Sequence, residues 1–236
     1  MRPSGSGPYS WQVSVSGAPD QRELASRRPV RRRLDRAARG VESNARLTGM
    51  TAAALLVLLV AEGVTVLRIR PLLAPHVFIG MLLVPPVALK MLSTGYRFVR
   101  YYTGAPGYRR KGPPAPLLRL LGPVVVVLTV ALFASGIGLL FAGAGTLRAD
   151  LFSVHQASFV LWFGAMALHV LAHLLDTARL APRDFYYRTR RQIGGAGARQ
   201  WAVAASLAVG VLLGVLLVGR ASTFLAGFGS FGRPGG

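Results

Sequence analysis

The chain has 236 residues, 52% of them hydrophobic and 15% charged, with 28 basic residues against 8 acidic ones and a formal net charge of +20. It contains no cysteine, which excludes disulfides, thiolate metal ligands, c-type haem attachment and cysteine-held iron–sulfur clusters. In a soluble protein such a charge would point to nucleic acid. Here the basic residues flank long apolar stretches and carry no nucleic-acid motif, so they mark membrane orientation and contact with anionic lipid.

Residues 1–48 are rich in Arg, Ser, Gly and Pro and hold the run Arg27-Arg28-Pro29-Val30-Arg31-Arg32-Arg33. They read as a disordered basic cytoplasmic tail, with one or two helical turns over 31–39 at the lipid surface. Apolar stretches follow at 49–67, 76–98, 117–142, 154–176 and 201–219, each long enough to cross a bilayer core. The fold class expected is therefore all-α, a polytopic helical membrane bundle of about five spans over 49–219, with a disordered external tail at 220–236.

Ten basic residues precede the first stretch, six lie in 97–119 and six in 179–199. Alternate loops are thus basic, which places the N-terminus and the 99–116 and 177–200 loops in the cytoplasm. The 68–75 and 143–153 connections and the C-terminus then face outward. Arginine outnumbers lysine 26 to 2 beside abundant Ala, Gly, Val and Pro, a bias of high-GC bacterial genomes, so a bacterial plasma membrane is the expected location.

Within the spans the polar residues are few. Glu62 lies in the first, where a carboxylate is costly and points to function; a haem-edge group, proton transfer or neutralisation by Arg68 would each account for it. Pro85-Pro86 should interrupt and bend the second span. Glycines 63, 80, 136, 138 and 164 permit close helix approach, and Phe78, Phe152, Phe159, Trp162 and Phe163 are available to line a flat ligand. Tyr96 to Gly104 mixes aromatics with arginines as an interfacial belt, and Asp176 is expected to pair with Arg179 or Arg183. Ile193-Gly194-Gly195-Ala196-Gly197 reads as a hinge; it follows no strand and is no nucleotide loop. No nucleophile–base set, zinc motif or phosphate loop supports a hydrolase or transferase.

The histidines carry the chemistry. The chain has four, and His155 and His169 are fourteen residues apart on one span, close to four turns at about 3.6 residues per turn. Both imidazoles therefore leave one face, about 21 Å apart along the axis at a rise of about 1.5 Å per residue. His76 is followed at the same spacing by Lys90, and His173 lies one turn beyond His169. The second and fourth spans run in the same direction, so His76 matches His155 in depth and Lys90 matches His169.

Paired ligands at two depths on parallel helices resemble the transmembrane b-type cytochromes, respiratory cytochrome b and its ferric-reductase and dehydrogenase-subunit relatives. The resemblance covers roughly 49–176 and departs from the pattern at Lys90, where a fourth histidine would stand. It implies a four-helix core and one haem b, held at the outer level with His76 and His155 as iron ligands. Lys90, His169 and His173 are the further cofactor-binding candidates, His173 for an inner site or for haem propionates, and that inner level is expected to be degenerate. Such a chain would be an electron-transfer subunit rather than a self-contained enzyme, passing electrons between a quinone or redox partner and an oxidoreductase subunit, with membrane lipid around it and no nucleic acid. The alternative is a haem-free assembly or interaction protein derived from the same fold. A small transporter ranks last, because Pro85-Pro86 has no counterpart in the other half of the chain.

Overall fold

Apolar segments in a bilayer satisfy their backbone N–H and C=O groups only within a helix or a closed barrel, and here they form helices. The structure, a computed structural model, describes residues 21–110 and 116–222. These residues form α1 (Gln21–Leu67), α2 (Leu73–Tyr102), α3 (Pro106–Arg110), α4 (Pro116–Phe141), α5 (Thr146–Leu180), a 3-10 turn (Ala181–Asp184), α6 (Tyr187–Arg190) and α7 (Ala196–Leu217). α1, α2, α4, α5 and α7 are long and apolar enough to cross a membrane. The protein is an all-α, multi-pass bundle, and valines and leucines such as Val57, Leu161, Leu175 and Val215 stand exposed on its outer surface, as a bilayer solvent allows.

Two antiparallel hairpins make the core. α1 packs along α2, α4 packs along α5, and α1 also touches α5. α2 and α5 share no extended interface, so they stand diagonally across the four-helix set. Gly49 permits the α1–α5 contact: a Cβ there would lie 2.8 Å from the Leu180 Cβ.

α7 lies outside the four, packed along α2. Pro86 has no N–H to give the Leu82 carbonyl, which an uninterrupted helix would bond at i−4. α7 brings Gly210 against that same carbonyl, so closely that a Cβ would collide with Leu82 O. One turn on, a Cβ at Gly214 would lie 2.7 Å from the Phe78 ring. The Gly210-x-x-x-Gly214 spacing is a membrane helix-packing motif, and here it covers backbone that two prolines leave short of donors. The expected interruption at Pro85-Pro86 does not occur: α2 runs through both, with Gly210 of α7 packed against the Leu82 carbonyl that Pro86 leaves free.

The expected disordered tail is also corrected. Residues 21–48 are helical and continuous with the first span, giving α1 a length of 47 residues, about 70 Å at a rise of about 1.5 Å per residue. That is more than twice a bilayer core, so the N-terminal half of α1 extends beyond it. Ion pairs account for the order near the bundle. Arg46 Nη1 donates to Asp184 Oδ1 at 3.1 Å, and Arg199 donates to both Asp184 oxygens, at 2.8 Å to Oδ1. Arg199 also reaches Ser43 on α1 at 2.9 Å. Arg183, one of the two arginines expected to pair with Asp176, donates to Glu42 on α1 at 2.8 Å. Arg46, Asp184 and Arg199 are buried, so α1, the 3-10 turn and α7 meet on one desolvated charge cluster. The Ile193–Gly197 hinge is ordered beside it: Gly195 takes the left-handed conformation at φ 81° and starts α7. Residues 220–222 continue in a helical turn, with Ala221 buried; the expected tails over 1–20 and 223–236 lie outside the described residues.

Candidate functional site

His76 is the fourth residue of α2 and His155 the tenth of α5. From diagonal helices their rings approach to 6.3 Å between centroids, with planes 82° apart. Each ring is fixed through Nδ1 by the other helix of its own hairpin. His76 Nδ1 lies 2.9 Å from Glu62 Oε1 and 3.1 Å from Thr65 Oγ1, both on α1. His155 Nδ1 lies 3.1 Å from the Leu132 carbonyl and 3.2 Å from Ser135 Oγ, both on α4. A carbonyl oxygen only accepts, so His155 carries its proton on Nδ1 and presents an Nε2 lone pair. The Glu62 carboxylate assigns the same tautomer to His76.

Two glycines make room for this arrangement. A Cβ at Gly136 would lie 2.9 Å from His155 Cε1, and one at Gly80 would meet Glu62 Oε1 at 3.5 Å. Gly63 and Gly164 face open space, and Gly138 lies against Leu151. The aromatics serve other contacts: Phe78 packs under Gly214, Trp162 donates to Thr129 on α4 at 2.9 Å, and Phe159 tilts against Phe163.

Ring separation tests whether the pair suits a metal. An imidazole nitrogen sits about 2 Å from a bound transition metal and about 1 Å from its ring centre, so imidazoles on opposite sides of one metal have centroids about 6 Å apart. The observed 6.3 Å meets that requirement. Nδ1 held by a carboxylate or carbonyl, with Nε2 left free, is the usual state of a metal-ligating histidine. His76 and His155 are therefore the residues that would hold a metal such as a haem iron here. Among the described residues no three His, Asp or Glu side chains gather to cage an ion by themselves.

The second level is built differently. His169 and His173 face each other on α5 at 4.8 Å between centroids, too close for opposite sides of one metal. Lys90 lies within electrostatic reach of both, yet its ammonium donates to the Thr48 carbonyl on α1 at 3.1 Å. Around it Thr48 Oγ1 donates to Ser93 Oγ at 3.1 Å and Asn44 Nδ2 to the Ser93 carbonyl at 3.0 Å. Lys90 thus belongs to a polar seam between α1 and α2, and the expected depth match with His169 forms no direct bond.

Apart from Lys90, the seam residues Asn44, Thr48 and Ser93 are absent from the sequence reading, as are the Gly210–Gly214 contact and the Asp184 cluster. Asn44 and Thr48 lie in or beside the segment read as disordered. The i, i+4 glycines at 210 and 214 were visible as a packing motif, but nothing in the linear chain names α2 as their partner. Comparison with family models, curated proteins and solved structures returns no match.

Proposed function

We propose that the protein is a membrane electron-transfer subunit holding one b-type haem between His76 and His155. The observation that carries this reading is the cross-bundle pair of imidazoles at 6.3 Å, each anchored through Nδ1 to its neighbouring helix. When bound, the haem supplies a one-electron couple. The chain's part is to hold both Nε2 lone pairs in place, keep the site within the bundle and leave no coordination position for substrate, which makes an electron carrier rather than an oxygenase. One haem per chain is proposed because the second level offers only the close His169–His173 pair and a lysine turned toward α1.

The proposed setting is a bacterial plasma membrane with the N-terminus in the cytoplasm. The N-terminal half of α1, α3 and the 3-10 turn cluster at one end of the bundle, where α1 contacts both of the others, so the basic segments that argue for a cytoplasmic face lie together. Electrons would pass to or from a quinone or an oxidoreductase subunit, with the exposed Tyr96, Phe98 and Tyr102 beside Arg97 and Arg100 as a docking stretch. The Lys90–Thr48 bond favours one rival, a haem-free assembly protein of the same architecture.

Single variants separate the two. His76→Ala and His155→Ala are expected to abolish the reduced-minus-oxidised b-type absorption, while His169→Ala and His173→Ala retain it. Equal spectra from all four variants would defeat the assignment of the ligands.

A further inference from the structure

The two proposed ligands are tied to chemically different acceptors. His155 Nδ1 faces a neutral backbone carbonyl at 3.1 Å, whereas His76 Nδ1 faces a carboxylate at 2.9 Å. Glu62 is itself held on two sides. Thr65 Oγ1 lies 3.2 Å from its Oε2 and 3.1 Å from His76 Nδ1, and Gly80 leaves Oε1 its space beside α2. The side chains of His76 and Glu62 are only 22% and 15% exposed, so water screens the charge weakly. Among the described residues the ion-pair partner of Glu62 is His76 and not the exposed Arg68.

We infer that Glu62 is the positioning and tuning residue of this site: it fixes the His76 tautomer and biases the iron couple toward its oxidised form. The inference rests on the reading of His76 and His155 as haem ligands. A carboxylate accepting the Nδ1 proton gives the ring imidazolate character and makes Nε2 a stronger donor. Its negative charge also favours the more positive, oxidised iron. Hydrogen bonding to an axial ligand is one of the levers by which a protein sets a haem potential. The carboxylate thus has two separable parts, an acceptor that orients the ring and a charge that lowers the potential.

Two substitutions divide those parts. Glu62→Gln keeps an acceptor oxygen and removes the charge; Glu62→Ala removes both. In detergent-purified full-length protein, E62Q is expected to keep wild-type haem content and raise the midpoint potential by at least 59 mV, a tenfold change in a one-electron equilibrium. E62A is expected to bind haem about 10- to 100-fold more weakly, the usual cost of losing a partner of a metal-ligating histidine. A merely structural role would lower haem content in both variants and leave the midpoint of the bound fraction unmoved. Haem-loaded E62Q with the wild-type midpoint would overturn the inference while leaving the ligand assignment standing. Wild-type protein without haem would overturn the parent reading and this one with it. A readout independent of haem is ring-nitrogen NMR of His76 in the haem-free chain: the Nδ1–H tautomer in wild type and E62Q, and a mixture in E62A. A mixture already present in wild type would overturn the orienting role.

Discussion

His155 shows how a single position depends on backbone atoms far away in sequence. Its Nδ1 is fixed by the carbonyl of Leu132, 23 residues earlier, and its ring rests where Gly136 has no side chain. Gly136→Val is therefore expected to push the imidazole off its seat and prevent binding of the proposed haem while the helices stay formed, measurable as lost b-type absorbance at unchanged far-ultraviolet dichroism. Retention of full haem content in G136V would place the ring elsewhere. Span direction and depth paired His76 with His155 in the sequence, and the two rings do meet. The sequence did not show that Glu62 meets His76, that Leu132 holds His155 or that Lys90 bonds Thr48, since each partner lies on another helix and periodicity says nothing about tertiary pairing.

Two contacts between elements set how the hairpins are held. Gly210 and Gly214 press α7 onto α2 over the carbonyl that Pro86 leaves without its helical donor. Gly210→Leu would overfill that seam, and overpacking of this kind costs about 1–3 kcal/mol. Its expected effect is a lowered melting temperature in detergent, with Gly63→Leu as the control, because Gly63 faces open space. The Asp184 cluster joins α1 to the 3-10 turn and α7 beyond the apolar stretch of α5. Burial alone would raise the Asp184 carboxyl, but hydrogen bonds from Arg199 and Arg46 outweigh it and hold the group below its ordinary value. A carboxyl lowered in the folded state contributes stability that is complete above its unfolded value of about 3.9 and is lost as pH falls through the lower folded value. Melting temperature should thus hold steady at neutral pH and fall in strong acid. Asp184→Asn, which leaves the buried Arg199 guanidinium without a counter-charge and Arg46 with Glu42 alone, should cost about 3–5 kcal/mol at neutral pH and flatten that acid limb. An unchanged acid profile in D184N would show that other carboxylates govern it. The ordered tail was hidden for the same reason as the site: composition alone reads residues 21–48 as unfolded, and the buried acid that orders their end lies 138 residues from Arg46.

At the scale of the whole molecule, five apolar helices were legible because a bilayer leaves the chain one way to satisfy its backbone. What the linear chain did not show is the arrangement: α2 and α5 on a diagonal, α1 and α4 holding the histidines from either side, and α7 outside as a brace on α2. That arrangement brings imidazoles from two helices together at the level of His76 alone; at the other level the rings that meet are neighbours on one helix. One proposed haem site per chain follows from that difference between the levels. The direct test is a pyridine haemochrome count on full-length, detergent-purified protein made with ample haem, beside its dithionite-reduced minus oxidised spectrum. One b-type haem per chain is the predicted result. Two per chain would contradict the single-site geometry, and a featureless spectrum would contradict the electron-transfer reading altogether.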